Sequence, residues 1–288
     1  MSLPFGSVTG PTLSRRDFLA GGGFAACGLA GGVALDAFGV ETRSVELTRH
    51  SVPVPGLAPE LDGLRVAQVS DVHLYHGLHP AARRTMALLL EERPEIVVIT
   101  GDACENSGVL GDLASFVRRV RGSLATIAIL GNWESYGEIS RGVAERVYGQ
   151  AGATLLVNQA LTLRRGGAEL TMLGLDDPLT GHPDLAAALS ESGAGPAILL
   201  VHAPGCVDDL VGSGLPAPAL ALAGHTHGGQ IRIPFLPPVT PPASGRFVAG
   251  WYRDTFAPLY VSRGIGTADI RARFRCPPEL PVFTLQRA

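Results

Sequence analysis

The stretch Leu222–Arg232 reads Leu-Ala-Gly-His-Thr-His-Gly-Gly-Gln-Ile-Arg, and it continues the apolar run Pro218–Ala223. Successive side chains of an extended segment point to opposite faces, so His225 and His227 share a face and Thr226 points away from it. Two imidazoles on one face at the end of a strand make half of a metal site. A pair of polar loop residues without a metal explains the same pattern, because short motifs of this kind are common. The remaining ligands of a metal site must therefore come from elsewhere in the chain.

The overall composition, with 288 residues, a formal net charge of −3, 46% hydrophobic and 17% charged residues, is typical of a globular protein. About 250 residues remain for a single domain once a leader is set aside. The mild acidity gives no support for a nucleic-acid partner. The sequence contains no lysine, which excludes Schiff-base and P-loop lysine chemistry. Cys104, Cys206 and Cys276 lack the spacing of a disulfide framework or a metal motif, and we expect buried free thiols.

The first forty residues carry the pattern of an export signal. Ser14–Leu19 reads Ser-Arg-Arg-Asp-Phe-Leu and resembles a twin-arginine signal, and the following Ala20–Phe38 is rich in Ala, Gly and Leu. We therefore expect residues 1–40 to be a signal or anchor segment. Residues 41–288 would form a domain exported to the periplasm or to the outer face of the membrane. Cleavage near Ala37, retention as a membrane anchor and lipidation at Cys27 are the alternatives for this segment.

Strands and helices alternate through the first half of the domain. The segment Pro80–Glu92 has helical spacing. Its predicted buried side carries Met86, Leu89 and Leu90. The segment Ala160–Leu175 alternates around a Gly-Gly turn, as a hairpin does. This order of elements predicts an α/β sandwich of two sheets flanked by helices. Five apolar strands are predicted at its centre: Leu64–Ser70, Glu95–Thr100, Ala125–Leu130, Ala197–Val201 and Pro218–Ala223.

Metal-capable side chains follow each of these five strands. Each has an ordinary explanation by itself, since Asp102 can cap a turn, His202 can be a hydrogen-bonded core histidine and Asn132 can be a turn residue. Five such coincidences are improbable, and residues at the carboxyl ends of buried strands converge on one crevice. The set is too large for one metal and suits two that share a carboxylate, with Mn²⁺, Zn²⁺ and Fe all accepting such donors. The predicted ligands are Asp71, His73, Asp102, Asn132, His202, His225 and His227.

Five short motifs follow in order from Leu64 onward: Asp71-x-His73, Gly101-Asp102, Gly131-Asn132, Val201-His202 and Gly224-His225-Thr226-His227. Their order resembles that of the calcineurin-like metallophosphoesterases, and with the leader it resembles the exported bacterial branch. The resemblance implies a four-layer αββα sandwich with two central mixed β-sheets. It also implies a metal-bridging hydroxide that attacks a phosphodiester or pyrophosphate bond, with Asp102, Asn132 and His202 in the catalytic centre. The implied ligands are Asp71, His73, Asp102 and His227 for one divalent metal ion, and Asp102, Asn132, His202 and His225 for the other, with Asp102 bridging.

Trp133 stands where members of that family usually carry a histidine that protonates the leaving group or holds the phosphate. An indole N–H donates a hydrogen bond but is not an acid near neutral pH. Either the substrate has a good leaving group or another residue, for which His76 is the candidate, supplies the proton. The alternative is a non-catalytic metal-bound binding protein, although the intact ligand positions favour an active enzyme. Glu134 is expected either to orient a ligand or to be an exposed loop carboxylate.

The expected partner is a phosphoester substrate, and the resemblance extends to exported enzymes that act on lipid-linked envelope precursors such as UDP-diacylglucosamine. The proline-rich apolar loop Phe235–Pro242 is compatible with an amphipathic substrate, and the leader with membrane association. We expect several other polar and aromatic residues to have mainly structural roles. These are His50, His79 and His182 at the surface, Arg232 and Arg263 as surface or phosphate-contacting residues, and Trp251 and Tyr252 in the core, with an aromatic wall as the alternative for this pair.

Overall fold

The structure, a computed structural model, describes residues 31, 32 and 34–288. A π-helical turn, Asp36–Val40, and a 3-10 turn, Glu41–Arg43, precede the first strand. No helix in this described part is long and apolar enough to cross a membrane. The signal motif Ser14–Leu19 and Cys27 lie outside the described residues. The division at residue 40 and the fate of the leader therefore stay predictions.

Short strands and helices alternate along the chain. The strands are β1 Glu46–Val54, β2 Arg65–Val69, β3 Ile96–Thr100, β4 Ala125–Ile129, β5 Thr154–Leu155, β6 Gln159–Arg165, β7 Ala168–Gly174, β8 Ala197–Leu200, β9 Leu220–Ala223, β10 Gly250–Tyr252, β11 Leu259–Val261 and β12 Glu279–Arg287. The α-helices that follow β1 are α1 Pro80–Glu92, α2 Leu110–Arg119, α3 Asn132–Tyr136, α4 Arg141–Ala151, α5 Leu185–Ser190 and α6 Gly205–Asp209.

The strands form two six-stranded sheets, in the orders β1-β12-β2-β3-β4-β5 and β10-β11-β9-β8-β7-β6. Both sheets are mixed. In the first, β12 is antiparallel to β2, and in the second, β6 is antiparallel to β7 and β10 to β11. The neighbouring strands β2, β3 and β4 run parallel, as do β8 and β9. Each sheet therefore presents adjacent carboxyl ends at one edge, where polar side chains from several strands can meet.

Alternating side chains along the strands separate the molecule into apolar layers. In β3, Ile96 and Val98 belong to the core between the two sheets, whereas Val97 and Ile99 belong to the core beneath α1, α2 and α4. A third core joins the second sheet to α5 and α6. Because each strand of the centre is covered on both faces, its residues are apolar throughout rather than alternating with polar ones. The predicted four-layer αββα sandwich is confirmed.

Most predicted elements are present, and α1 has the predicted bounds. The hairpin turns at Gly166 and Gly167, whose φ angles of 59° and 88° are positive, as a two-residue type I′ turn requires. The cysteines in the described part are buried and free, as expected. Trp251 packs in an aromatic cluster, edge-on to Tyr260 at a centroid distance of 5.1 Å. The strand β10 that carries it and the short helix α3 were not predicted, because five residues or fewer show no clear periodicity.

Leu90 is 73% exposed, so its predicted inward orientation is wrong. The buried face of α1 is set by Ala81, Thr85, Leu88 and Leu89. Each helical residue advances about 100°, which places Leu90 about 200° away from Leu88 and on the solvent side. A run of three leucines contains no signal that separates its buried members from its exposed one.

The phase of α1 gives a stability prediction. Leu89, 4% exposed, packs against the first sheet, so Leu89→Ala is expected to lower the free energy of unfolding by about 2–5 kcal/mol. Leu90→Ala on the same helix is expected to change it by no more than about 0.5 kcal/mol. Urea denaturation of both variants measures the difference, and equal losses would show that the helix is rotated from the position described.

Candidate metal centre

The seven residues predicted as metal ligands come together at the carboxyl ends of the central strands. They follow β2, β3 and β4 of the first sheet and β8 and β9 of the second. None is more than 5% exposed. Charged and polar side chains are rarely buried this deeply without partners, because desolvation costs several kcal/mol unless it is compensated. The crevice therefore contains a dense cluster of metal-type donors. These residues are Asp71, His73, Asp102, Asn132, His202, His225 and His227.

The backbone turns sharply at most of these positions. Five of the residues have positive φ values between 49° and 71°. Non-glycine residues adopt this left-handed region at a cost of about 1–3 kcal/mol each, and such strain clusters at functional sites. The simple alternation predicted for an extended segment is therefore wrong here, since each side chain reaches the crevice through its own turn. The residues concerned are Asp71, His73, Asp102, His225 and His227.

Gly224 permits the close approach of the two sheets at this edge. A Cβ added there would lie 1.9 Å from Ser70 Oγ and 2.4 Å from Asp71 Oδ2. Both distances are far shorter than any van der Waals contact. The glycine before His225 is thus required by space.

One donor group joins β2 to the loop after β9. His73 Nε2 lies 3.0 Å from His227 Nε2, and His227 Nε2 lies 3.7 Å from Asp71 Oδ1. Ligand atoms about 2.1 Å from a metal and 90° to 109° apart are themselves about 3.0–3.4 Å apart. The observed separations fit a single ion within a few tenths of an ångström. Asp71, His73 and His227 can therefore hold one metal.

The other donor group is built around His202. Its Nε2 atom lies 3.1 Å from Asp102 Oδ2, 3.2 Å from Asn132 Oδ1 and 3.2 Å from His225 Nδ1. These are again the edges of a coordination polyhedron. Asp102 Oδ2 also lies 3.6 Å from His73 Nε2, so one carboxylate oxygen faces both groups. His225 and His227, paired in the sequence, are divided between the two groups.

Hydrogen bonds at the outer nitrogens orient three of the four imidazoles. His202 Nδ1 lies 2.8 Å from the Thr100 carbonyl oxygen, and His225 Nε2 lies 2.7 Å from that of Pro242. A ring nitrogen that donates to a carbonyl leaves the other nitrogen with a lone pair for a metal. The sequence did not identify either acceptor, because backbone carbonyls leave no residue-type signal.

The third oriented imidazole belongs to His73. Its Nδ1 atom donates to Glu105 Oε1 at 3.1 Å, and Arg271 donates to the same oxygen at 2.8 Å. Carboxylate–histidine pairs of this kind fix the ring and raise the basicity of the metal-facing nitrogen. Glu105 and Arg271 were missed by the sequence analysis. The available signal for Glu105 was a carboxylate three residues after Asp102.

The outer ring nitrogen of His227, Nδ1, faces a guanidinium group instead of a hydrogen-bond acceptor. Nη2 of the fully buried Arg273 lies 3.4 Å from His227 Nδ1. Carbonyl oxygens of Gly266, Arg263 and Cys276 accept the remaining hydrogen bonds of this guanidinium. Burial, together with electrostatic repulsion from the neighbouring His73 and Arg273, holds the pKa of His227 well below its usual range. The ring is therefore held in its neutral form, with Nε2 facing His73 and Asp71.

Glu134 is buried, so the alternative of an exposed loop carboxylate is wrong. Its carboxylate accepts backbone N–H bonds from Gly131 at 2.9 Å, Asp102 at 3.1 Å and Ala103 at 2.7 Å. It ties the loop after β3 to the start of α3, so it orients Asp102 and Asn132 through the backbone. Burial, with repulsion from Asp102, raises the pKa of Glu134 to about 7.

Asp102 and His202, at the centre of the cluster, stabilise one another's charged forms. Burial alone would lower the pKa of His202, but attraction by Asp102 and the hydrogen bond to it outweigh burial and raise the pKa. Burial would likewise raise the pKa of Asp102, and His202 reverses that shift and lowers it. The pKa of His225 falls to about 4 through burial and repulsion by His202. Without a metal, His202 is therefore the charged imidazole of its group.

A cavity of about 320 Å³ opens over the two donor groups and is lined in part by Trp133, Tyr136 and Asp269. The Trp133 ring packs edge-on against His73 at a centroid distance of 5.4 Å, and its backbone N–H donates to Asp102 Oδ1 at 2.8 Å. His76 is exposed and packs against Tyr75, outside the residues that line this cavity. Its role as a proton donor stays a prediction.

The expectations for the remaining histidines and arginines are confirmed only in part. His182 is exposed, as predicted. His50 and His79 are half-buried, and His79 caps α1, so for these two the surface prediction is wrong. Arg263 pairs with Glu279 at 3.2 Å, and Arg232 donates to the Gly228 carbonyl oxygen at 2.7 Å.

Comparison with known proteins gives consistent matches. Residues 64–229 match the family model of the calcineurin-like phosphoesterases. The chain is 33% identical to the uncharacterised metallophosphoesterase YkuE of Bacillus subtilis, over 95% of this chain and 98% of the relative. It is 29% identical to the phosphodiesterase YaeI of Escherichia coli, over 69% of this chain and 73% of the relative. A further relative is the UDP-2,3-diacylglucosamine pyrophosphatase LpxG of Chlamydia trachomatis, 26% identical over 84% of this chain and 89% of that protein.

The matches and the buried donor groups together define the class as metal-dependent phosphoester hydrolases. The chain belongs to the calcineurin-like phosphoesterase family. This family uses a dinuclear metal centre, and the structure offers two buried groups of suitable ligands. The resemblance to the twin-arginine branch stays a prediction.

Removal of the Glu105 carboxylate tests the orientation of His73. Glu105→Ala is expected to weaken metal binding at the Asp71, His73 and His227 group by about 10–100-fold. Glu105→Gln, which keeps an acceptor oxygen of similar reach, should lose less. Competition with a chromophoric chelator measures both affinities, and the exposed Glu91→Ala serves as control. Parental affinity in Glu105→Ala would contradict the role assigned to this carboxylate.

Metal binding at the second group should release a proton. The pKa of His202 is raised from 6.5 to about 10, so near neutral pH its ring is charged before a metal binds and must become neutral to bind one. Affinity should therefore rise with pH until about pH 10. The ion pair of His202 should stabilise the metal-free fold fully below about pH 6.5 and lose its effect as pH rises through about 10. Calorimetric titration in buffers of different ionisation enthalpy counts the protons, and a buffer-independent heat would contradict this expectation.

Proposed function

We propose that this protein hydrolyses phosphodiester or pyrophosphate bonds at a two-metal centre in the crevice. The observation that supports this most directly is the position of Asp102 Oδ2, which lies 3.6 Å from His73 Nε2 and 3.1 Å from His202 Nε2. When bound, two metals supply Lewis acidity and lower the pKa of a water beside the phosphorus atom. Mn²⁺, Zn²⁺ and Fe all suit the mixed nitrogen and oxygen donors. The proposed ligands are Asp71, His73, Asp102 and His227 for one ion, and Asp102, Asn132, His202 and His225 for the other.

The protein's own residues position these donors and shape the cavity above them. Buried hydrogen-bond acceptors hold three imidazoles with one nitrogen directed into the crevice. Trp133 and Tyr136, whose rings meet edge-on at a centroid distance of 6.1 Å, line the cavity over the donors. Fixed donors reduce the reorganisation needed during the reaction, which is the main source of electrostatic catalysis. The site is therefore arranged before substrate binds.

The same cavity indicates the kind of leaving group. Among the residues that line it, the titratable side chains outside the donor groups are Tyr136 and Asp269. Neither is a histidine, which is the side chain that most often serves as a general acid near neutral pH. Substrates whose leaving group needs no proton are thus favoured. Nucleoside monophosphates released from pyrophosphate bonds and aryl alcohols have this property.

The substrate, within this class, is proposed to include lipid-linked envelope precursors. The pyrophosphatase LpxG supports this proposal by its similarity, since its name specifies a diacylated sugar nucleotide. We also propose export by the twin-arginine route, because Ser14–Leu19 has the required pattern. The domain would then act outside the cytoplasm, with membrane association through the leader if that segment is retained.

Hydrolysis of bis-p-nitrophenyl phosphate tests the proposed function. The full chain supplemented with Mn²⁺ is expected to turn over this diester, because p-nitrophenolate leaves without protonation and Trp133 imposes no penalty. His227→Ala removes one ligand and is expected to lower the rate by at least about 100-fold. Metal content of both proteins is measured in parallel.

No turnover by a parent protein that binds two metals would contradict the proposed hydrolysis. That result would favour the alternative of a non-catalytic metal-bound binding protein, in which Trp133 replaces the catalytic residue. Equal turnover by parent and His227→Ala would instead show that the activity arises outside this centre.

A further inference from the structure

Five large apolar side chains are exposed together beside the crevice, and we call this group the apolar rim. Each is more than half exposed, and Phe235 is fully exposed. Single exposed apolar residues are ordinary, whereas a contiguous group marks an interaction surface. The apolar rim consists of Ile233, Phe235, Leu236, Val239 and Ile270.

Three prolines stiffen the loop that carries most of the rim. Pro234, Pro237 and Pro238 restrict the backbone around Phe235 and Leu236. From residue 231 to residue 245 the chain contains a single charged residue, Arg232. A water-exposed segment with this composition has a large unfavourable contact with solvent and gains free energy when it enters an apolar phase.

An apolar groove connects the rim to the metal centre. The groove has a volume of about 480 Å³, and its lining includes Ile233, Val239 and Ile270 of the rim together with His227. His227 also lines the cavity over the donor groups. A molecule with an acyl chain in the groove would thus place its polar end at the crevice.

The N-terminal segment enters the domain on the same side. The carbonyl oxygen of Ala37 accepts the backbone N–H of Arg273 at 2.9 Å, and Phe274 pairs with both Gln230 and Arg232 through backbone hydrogen bonds. The leader therefore joins the domain one strand-width from the loop of the rim. Phe38 and Val40, which follow Ala37 in the sequence, are also more than half exposed.

The sequence before this junction supports a lipid partner in particular. From Ala20 to Leu35 the chain contains no charged residue. Two exposed arginines lie close to the junction in the sequence, Arg43 after Ala37 and Arg275 after Arg273. Although Asp36 and Asp269 are also exposed there, guanidinium groups beside apolar side chains match the phosphate and acyl layers of a membrane surface.

We infer that the apolar rim inserts into the lipid bilayer and holds the mouth of the crevice against the membrane surface. The loop around Phe235 enters the acyl region, Arg43 and Arg275 contact lipid phosphates, and the groove opens toward the bilayer. This inference concerns where the domain sits and does not depend on hydrolysis by the metal centre.

Site-specific fluorescence on the full chain tests the insertion. Phe235→Cys is introduced beside Cys27→Ser, since the other cysteines are buried, and is labelled with a polarity-sensitive dye. The protein is reconstituted into vesicles of phosphatidylcholine and phosphatidylglycerol that carry nitroxide-labelled acyl chains. The dye at residue 235 is expected to shift to the blue and to be quenched several-fold. Replacing phosphatidylglycerol with phosphatidylcholine should reduce the quenching, because the arginines then lose anionic partners.

Leu90→Cys provides the matched control. Leu90 is also apolar and 73% exposed, but it lies near the end of α1 that precedes β3, away from the crevice. Its dye is expected to remain unquenched in the same vesicles, and thermal unfolding of both labelled proteins checks their folding. Equal quenching at the two positions would overturn the inference. A blue shift at residue 235 that depends on protein concentration and occurs without quenching would also overturn it, in favour of contact between two copies of this chain.

Discussion

The shared carboxylate of Asp102 is the interaction on which the geometry of the centre depends. Its Oδ1 atom accepts the backbone N–H of Trp133 at 2.8 Å, which leaves Oδ2 directed at the imidazoles of both donor groups. The position requires close approach of the loops after β3 and β4. A Cβ on Gly131 would lie 2.3 Å from Asp102 Oδ1, so a glycine is needed there. Small displacements of this loop would separate the two groups.

The surrounding polar network offsets the cost of removing these charged and polar groups from water. Buried carboxylates and imidazoles are costly unless each finds an opposite charge or a full set of hydrogen bonds. Glu134 is held by backbone N–H groups, Arg273 by carbonyl oxygens, and Asp102 by His202. The strained backbone at the ligand positions is likewise maintained by apolar cores on both sides of each sheet. Apolar burial in the αββα sandwich therefore compensates for the backbone strain and the desolvation at the ligand positions.

The sequence predicted the fold and the members of the centre, because buried strands leave continuous apolar runs and their polar ends stand out. His225 and His227 show the limit of that reasoning. Their spacing was sufficient to identify them, but their assignment to different groups depends on positive φ angles that alternation does not predict. Glu105 and Arg273 were missed since their roles arise from contacts across long stretches of chain. The orientation of Leu90 was predicted wrongly for a related reason, because tertiary packing decides which residues of a leucine run face the core.

A crystal structure of the Mn²⁺-loaded full chain, with anomalous scattering data, would test the two-metal centre most directly. The account predicts two anomalous peaks about 3.5–4 Å apart, one beside Asp71, His73 and His227 and the other beside Asn132, His202 and His225. Asp102 would lie between them and contact both. A single peak, or two peaks without Asp102 between them, would contradict the shared carboxylate and the hydrolytic centre inferred from it.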